Sequence, residues 1–188
     1  MKNRKPGSVR IIGGRWRGTR LPVPDLPGLR PSGDRGRETL FNWLQAYIHD
    51  ARCVDLFAGS GVLGLEAVSR GAARAVLVEK SRKAVRVLRE SVERLDTQRV
   101  EVVDSDAIAW LASCAPQSID IVFIDPPFGA GLGRRALELL AAGNLIASGG
   151  LAYLEAGRAT PLPAPGPGWE ILREKTLGEV RMQLLKKV

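Results

Sequence analysis

From Arg52 to Glu155 the chain alternates short apolar runs with amphipathic stretches, and this alternation limits the fold more than any other feature. The spacing predicts strands at 54–57, 75–79, 100–103, 119–124 and 151–155. Helices are predicted between them at 61–70, 81–95, 106–113 and 132–142. Strands joined by helices at this spacing pair in parallel through right-handed crossovers. A Pro- and Gly-rich stretch, 161–168, leads to two more strands, 169–175 and 180–185, joined through Gly178. No helix fits between those two, so they must pair antiparallel. The expectation is an α/β, Rossmann-like fold. Its sheet is seven-stranded and mostly parallel, with antiparallel C-terminal strands.

Ahead of this core lies a different kind of sequence. Residues 1–37 hold ten Lys or Arg against two Asp, and so carry the whole net charge of +8. The remaining residues are balanced. A neutral body with a cationic extension points to a polyanionic partner. The division expected is a basic extension, 1–37, and a main domain, 38–188. Within the extension, residues 8–24 read as two short strands about a turn at Gly13-Gly14. Arg10, Arg15, Arg17 and Arg20 can meet phosphates from that hairpin. Trp16, set between two arginines, could stack on a base or anchor the hairpin to the body. A helix is expected over 34–48, with Leu40, Phe41, Leu44, Tyr47 and Ile48 on one face and Asp34 as its cap. Arg30, Arg35 and Arg37 fall at its approach and first turn. Cations there oppose the helix dipole, and a bound anion would relieve them.

Two strand ends carry the candidate chemistry. Asp55-Leu-Phe-Ala-Gly-Ser-Gly-Val-Leu-Gly64 contains a G-x-G-x-x-G turn, and Glu79 closes the next strand. That pattern fits a dinucleotide or S-adenosylmethionine. Asp55 favours the second: a carboxylate there repels a pyrophosphate but could help hold an ammonium group. Asp106, at the end of the third strand, can accept from an adenine amine. Gly59, Ser60, Gly61 and Glu79 form the expected cofactor turn, with Phe57, Lys80 and Ala107 at its margins. The second site is Ile121-Val-Phe-Ile-Asp-Pro-Pro-Phe128. Pro126 and Pro127 must end the strand, because they donate no backbone hydrogen bond and fix φ. Asp125 and Phe128 then sit on a stiff turn where ligands bind in open α/β sheets. A carboxylate, carbonyls and a flat ring suit a planar base with an exocyclic amine.

Several classes are excluded. No apolar stretch approaches the roughly 18 residues of a membrane span. The basic start has no apolar region behind it, so a signal peptide is not expected. Cys53 and Cys114 lack metal spacing and are expected as free thiols of a cytoplasmic protein. His49 is the only histidine, which argues against His-based catalysis or a metal site.

Nearly the whole chain resembles the bacterial 16S ribosomal RNA guanine-N2 methyltransferases of the RsmD type. The resemblance rests on Arg10-Ile-Ile-Gly-Gly-Arg-Trp-Arg-Gly, Leu29-Arg-Pro, Asp34-Arg-Gly-Arg-Glu-Thr-Leu-Phe-Asn-Trp43, the stretch from Asp55 to Gly71, and Asp125-Pro-Pro-Phe128, in that order. The chain departs at Ser32-Gly33, where the family usually has two threonines or similar. The resemblance implies a class I methyltransferase fold and S-adenosylmethionine as methyl donor. It implies a guanine of 16S rRNA as acceptor, in a small subunit or an assembly intermediate, and a monomeric enzyme without metal. Asp125 and the Pro126 carbonyl would hold the exocyclic amine, and Phe128 would stack on the ring. Two alternatives stand beside this reading: an adenine-N6 nucleic-acid methyltransferase, and a catalytically silent rRNA-binding assembly factor.

Overall fold

The computed structural model describes residues 7–24, 33–127 and 131–188. Arg30 and Phe128 lie outside the described residues. In chain order the elements are β1 (Ser8–Arg10), β2 (Arg20–Pro22), α1 (Asp34–Trp43), β3 (Arg52–Asp55), α2 (Val62–Ser69), β4 (Arg74–Glu79), α3 (Arg82–Arg94), β5 (Val100–Asp104), α4 (Ala107–Leu111), β6 (Ile119–Ile124), α5 (Leu132–Ala142), β7 (Ile146–Gly157), β8 (Trp169–Leu177) and β9 (Val180–Lys187).

β3 to β9 form one seven-stranded sheet in the order β5-β4-β3-β6-β7-β9-β8. The first five are parallel. β9 runs antiparallel between β7 and β8, so the last strand in sequence is not the edge. Leu177 pairs with Val180 across a two-residue turn in which Gly178 has φ 56°. The strand order reverses between β3 and β6. One crossover series runs outward through α2 and α3, the other through α4 and α5, and handedness puts them on opposite faces. Each face has its own apolar core. Phe41, Leu65, Leu77, Leu88 and Phe123 pack on the α1–α3 side, and Leu111, Ile124, Leu137 and Leu154 on the α4–α5 side.

At the amino ends of β3 and β6, the Arg52 guanidinium grips Asp120 through Nε and Nη2 at 2.9 and 2.8 Å. The Arg52 amide donates to the same carboxylate at 2.7 Å. Arg52 holds the Asp120 carboxyl below its ordinary range, and the clamp pins the register of the two central strands opposite the ligand edge.

Three points differ from the sequence reading, two of them in α1. α1 stops at Trp43 rather than 48, although Leu44 and Ile48 remain buried through irregular turns. Tyr47 leaves the apolar face and is 39% exposed. β7 starts five residues early, at Ile146, and is irregular where Ile119 pairs with Ile146 but Ile121 with Leu151. Its Ser-Gly-Gly stretch reads as a loop in sequence. Gly150 lies there because a Cβ would stand 2.8 Å from the Asp120 carbonyl oxygen. Finally, Asp34 makes no capping bond. Gly33 is the N-cap and the Asp34 carboxylate pairs with arginines instead. Cys53 and Cys114 are free thiols, as expected.

Candidate active site

The turn after β3 is held from three sides. Leu56 N–H donates to the Phe123 carbonyl of β6 at 3.1 Å, and Ala58 N–H to the Val78 carbonyl of β4 at 3.0 Å. Gly59 and Gly61 take φ of 54° and 73°, values that side chains disfavour. A Cβ on Gly61 would lie 2.5 Å from a Leu88 methyl, and one on Gly64 2.2 Å from a Leu77 methyl. The glycines therefore let α2 settle directly on β4 and α3. Glu79 closes the turn: its two oxygens accept from the amides of Gly59 at 2.9 Å and Ser81 at 2.8 Å. Each oxygen keeps a lone pair for a hydroxyl.

Asp55 stands beneath this turn, 1% exposed, accepting from the Gly64 amide at 3.2 Å. Burial pushes its carboxyl up to about 7 against the effect of the Gly64 bond, and the charge of Glu79 adds to the rise. Asp106 is the N-cap of α4 and accepts from Ile108 and Ala109 through Oδ1. Ser60 and Ala107 are buried, Phe57 is half-buried and Lys80 is exposed. Asp55, Glu79 and Asp106 thus follow one another along the carboxyl edge from β3 to β5. This set fits S-adenosylmethionine: a buried anion for an ammonium, a free pair of lone pairs for ribose hydroxyls and an exposed acceptor for an amine.

β6 delivers the second half of the site. Asp125, Pro126 and Pro127 leave the sheet beside the β3 turn, at the switch point where α/β sheets bind ligands. Asp125 is half-buried, and burial, then Glu155, then Asp55 raise its carboxyl well above the ordinary range. Pro126 and Pro127 line a cavity of about 260 Å³ with Leu132, Arg134, Leu154 and Glu155.

The basic extension is not an independent unit. Val9, Ile11, Leu21 and Val23 belong to the same core as α1 and α2. The expected tight turn at Gly13-Gly14 is absent: β1 and β2 are joined by a longer loop bound to the end of α2. Arg15 N–H donates to the Ser69 carbonyl at 2.8 Å, Trp16 N–H to Ser69 Oγ at 2.9 Å, and Ser69 Oγ to the Gly13 carbonyl at 2.6 Å. A Cβ on Gly14 would fall 1.9 Å from the Ser69 carbonyl oxygen. The glycines serve a close approach, not a hairpin turn. Arg10, Arg15, Arg17, Arg20 and Arg35 are exposed. Arg10 pairs with Asp34, and the Arg15 guanidinium lies 4.5 Å from the Trp16 ring centre. Trp16 is half-buried against the core, which favours the anchoring role. Arg37 must be corrected. It is 2% exposed and held by Glu66 at 2.8 Å and Asp34 at 2.6 Å, so it cannot reach a phosphate.

Residues 9–186 match the family model described as Conserved hypothetical protein 95. The chain is 46% identical over 181 residues to ribosomal RNA small subunit methyltransferase D of Escherichia coli, covering 96% of this chain and 91% of that one. The chain belongs to the RsmD family. The family protein of the same name from Haemophilus influenzae is 42% identical, over 95% of this chain and 93% of its own. A solved E. coli structure described as a candidate methyltransferase superposes with a TM-score of 0.88 at 44% identity, covering 96% and 98% of the two chains. The sheet order and these neighbours identify a class I methyltransferase fold.

Two features of this RsmD-family chain escaped sequence reasoning. Glu66 is a fully buried carboxylate that accepts from Arg37, from Arg70 at 3.0 and 2.8 Å, and from the Ile12 amide at 3.2 Å. A lone Glu inside the apolar run Val62–Ser69 was the available signal, since such a charge needs a buried partner. Glu155, at the end of the predicted strand 151–155, was the other. Its carboxylate accepts from Tyr153 Oη at 2.7 Å and stands against the cavity.

Proposed function

We propose that the protein transfers a methyl group from S-adenosylmethionine to the exocyclic N2 of a guanine in 16S rRNA. The relatives are named for methylation of small subunit ribosomal RNA. The observation that carries the reading to this chain is the placement of Asp125 on a Pro-Pro turn beside buried Asp55, at the switch point of the sheet. Asp55, the Gly59–Gly61 turn, Glu79 and Asp106 hold the cofactor. When bound, it supplies an electrophilic methyl group on a positively charged sulfur.

The work left to the chain is placement and charge. Asp125 accepts one N–H of the guanine amine and the Pro126 carbonyl the other, which turns the nitrogen lone pair outward. So aimed, that pair would take up the methyl group, with the cofactor's sulfur as the leaving group. Positive charge then grows on the nitrogen and a nearby carboxylate stabilises it. Asp125 takes the surplus proton, or passes it to water. Phe128 would stack on the ring, and the base must leave its own stack to enter. Arg10, Arg15, Arg17, Arg20, Arg30 and Arg35 hold phosphates and position the RNA without reading bases. The substrate is the rRNA of a small subunit or its assembly intermediate, and the enzyme acts as a cytoplasmic monomer.

The test is nucleoside mass spectrometry of immature small-subunit rRNA after reaction with isotope-labelled S-adenosylmethionine. Labelled N2-methylguanosine is expected. Asp125→Ala should lower the rate at least about 100-fold, the scale for a preorganised transition-state partner, with cofactor affinity little changed. Labelled N6-methyladenosine would favour the adenine alternative, and no labelled nucleoside the silent assembly factor.

A further inference from the structure

Glu155 plays no part in the cofactor turn, yet it lines the cavity beside Pro126 and Pro127. The β6–β7 ladder pairs Phe123 with Tyr153 and Ile124 with Leu154, so one rung further sets Asp125 beside Glu155. Alternation along each strand returns both side chains to the face that carries Phe123 and Tyr153. Glu155 is held in place from behind. Tyr153 is 1% exposed, its ring meets Phe123 edge-on at 6.5 Å, and its hydroxyl donates to Glu155 Oε2 at 2.7 Å. Among the described residues, nothing donates a hydrogen bond to Glu155 Oε1 or to the Asp125 carboxylate. Two half-buried carboxylates thus stand side by side with acceptor positions free, and Glu155 also lines the cavity next to Pro126. Free acceptors so placed can be met together by a ligand with two adjacent N–H groups.

Of the four RNA bases, only guanine offers a ring N–H next to an exocyclic amine. Adenine and cytosine place a bare ring nitrogen, itself an acceptor, beside the amine, and uracil has no amine. We infer that Glu155 is a specificity-determining residue whose Oε1 accepts the guanine N1–H while Asp125 engages the N2 amine. This inference rests on the guanine-N2 reading above. Tyr153 is the positioning residue that aims Glu155. A base with a bare N1 would set lone pair against lone pair, and sites built to hydrogen-bond a donor strongly reject analogues that lack it.

The experiment uses an rRNA fragment containing the modified guanine, and the same fragment with 2-aminopurine at that position. 2-Aminopurine keeps the C2 amine but has no N1–H. The wild-type protein should prefer guanine in kcat/KM by at least about 100-fold. Glu155→Gln can turn an N–H toward a bare N1, so the preference should shrink at least tenfold, with S-adenosylmethionine affinity unchanged by calorimetry. Tyr153→Phe should give an intermediate preference. An unchanged preference in a Glu155→Gln protein that folds and binds cofactor would overturn the inference. If that variant does not fold, a wild-type preference near one, or a Tyr153→Phe preference equal to that of the wild type, overturns it, and an intermediate preference in Tyr153→Phe supports it. Failure of the underlying reading looks different: the wild type would then make no N2-methylguanosine on the guanine fragment.

Discussion

With Asp55 as the proposed partner of the cofactor's ammonium group, cofactor binding should depend on pH. In the free protein the Asp55 carboxyl sits at about 7, chiefly through burial, so near neutrality it is about half ionised. An ammonium group needs the ionised form. Below about 7, binding must first remove a proton from Asp55, and affinity falls about tenfold for each pH unit. Above it, affinity levels off. Between pH 8 and pH 6 the ionised fraction drops about tenfold, so the dissociation constant for S-adenosylmethionine should rise about tenfold. Calorimetry from pH 5.5 to 8.5, repeated in two buffers of different ionisation heat, reads both the affinity and the proton released. Asp55→Asn keeps an oxygen for the Gly64 amide and should bind weakly at every pH, without the slope. The sign also runs through stability. The folded carboxyl lies above its ordinary 3.8, so the free protein loses stability as pH rises from about 4 to about 7, by on the order of a few kcal/mol. Bound cofactor should restore it. Equal affinity at pH 6 and pH 8 with no proton release would refute the pairing of Asp55 with the ammonium group.

Further outcomes follow from the extension and its anchor. Arg37→Ala removes one of the two guanidinium partners of buried Glu66, leaving Arg70 and the Ile12 amide, and should cost about 1–3 kcal/mol in denaturant unfolding, without changing the salt slope of RNA binding. Replacing Arg15, Arg17 and Arg20 together by Ala should leave melting and cofactor affinity intact. It should weaken RNA binding and flatten its log–log salt dependence by about two to three units in filter binding. Gly14→Ala drives a methyl against the Ser69 carbonyl, so melting temperature and RNA affinity should fall together.

How much could be read in sequence depended on how far apart the partners lie. The strand–helix alternation is a local pattern, and most element bounds between 54 and 142 agree with it within a residue or two. Pro126 and Pro127 end β6 by their own chemistry, and the glycine turn needs no distant partner to be recognised. Arg37 misled because charge was counted without its counter-charge. Glu66 lies 29 positions away on another helix, and only the pair explains either residue. Gly13 and Gly14 misled for a similar reason. Two glycines between short strands match a turn, but the atom that demands them, the Ser69 carbonyl oxygen, is distant in sequence. Tyr47 shows the limit of helical periodicity, since its place on the apolar stripe held only while the helix continued.

α2 joins the two halves of the problem. All eight of its residues are buried, and it spans only about 12 Å at the usual helical rise. At its first turn the Gly64 amide meets Asp55, and its N-cap, Gly61, belongs to the cofactor turn. At its last turn Ser69 holds the loop that carries Arg15, Trp16 and Arg17, while Glu66 ties it to Ile12, Arg37 and Arg70. A buried helix with charged and backbone bonds at both ends does not bend easily. The arginines proposed to hold RNA are therefore set at a fixed distance from the turn proposed to hold the cofactor. That explains why a short basic extension, with only small strands of its own, shares the main core. An extension free to swing would still attract a polyanion, but it could not register one base against Asp125.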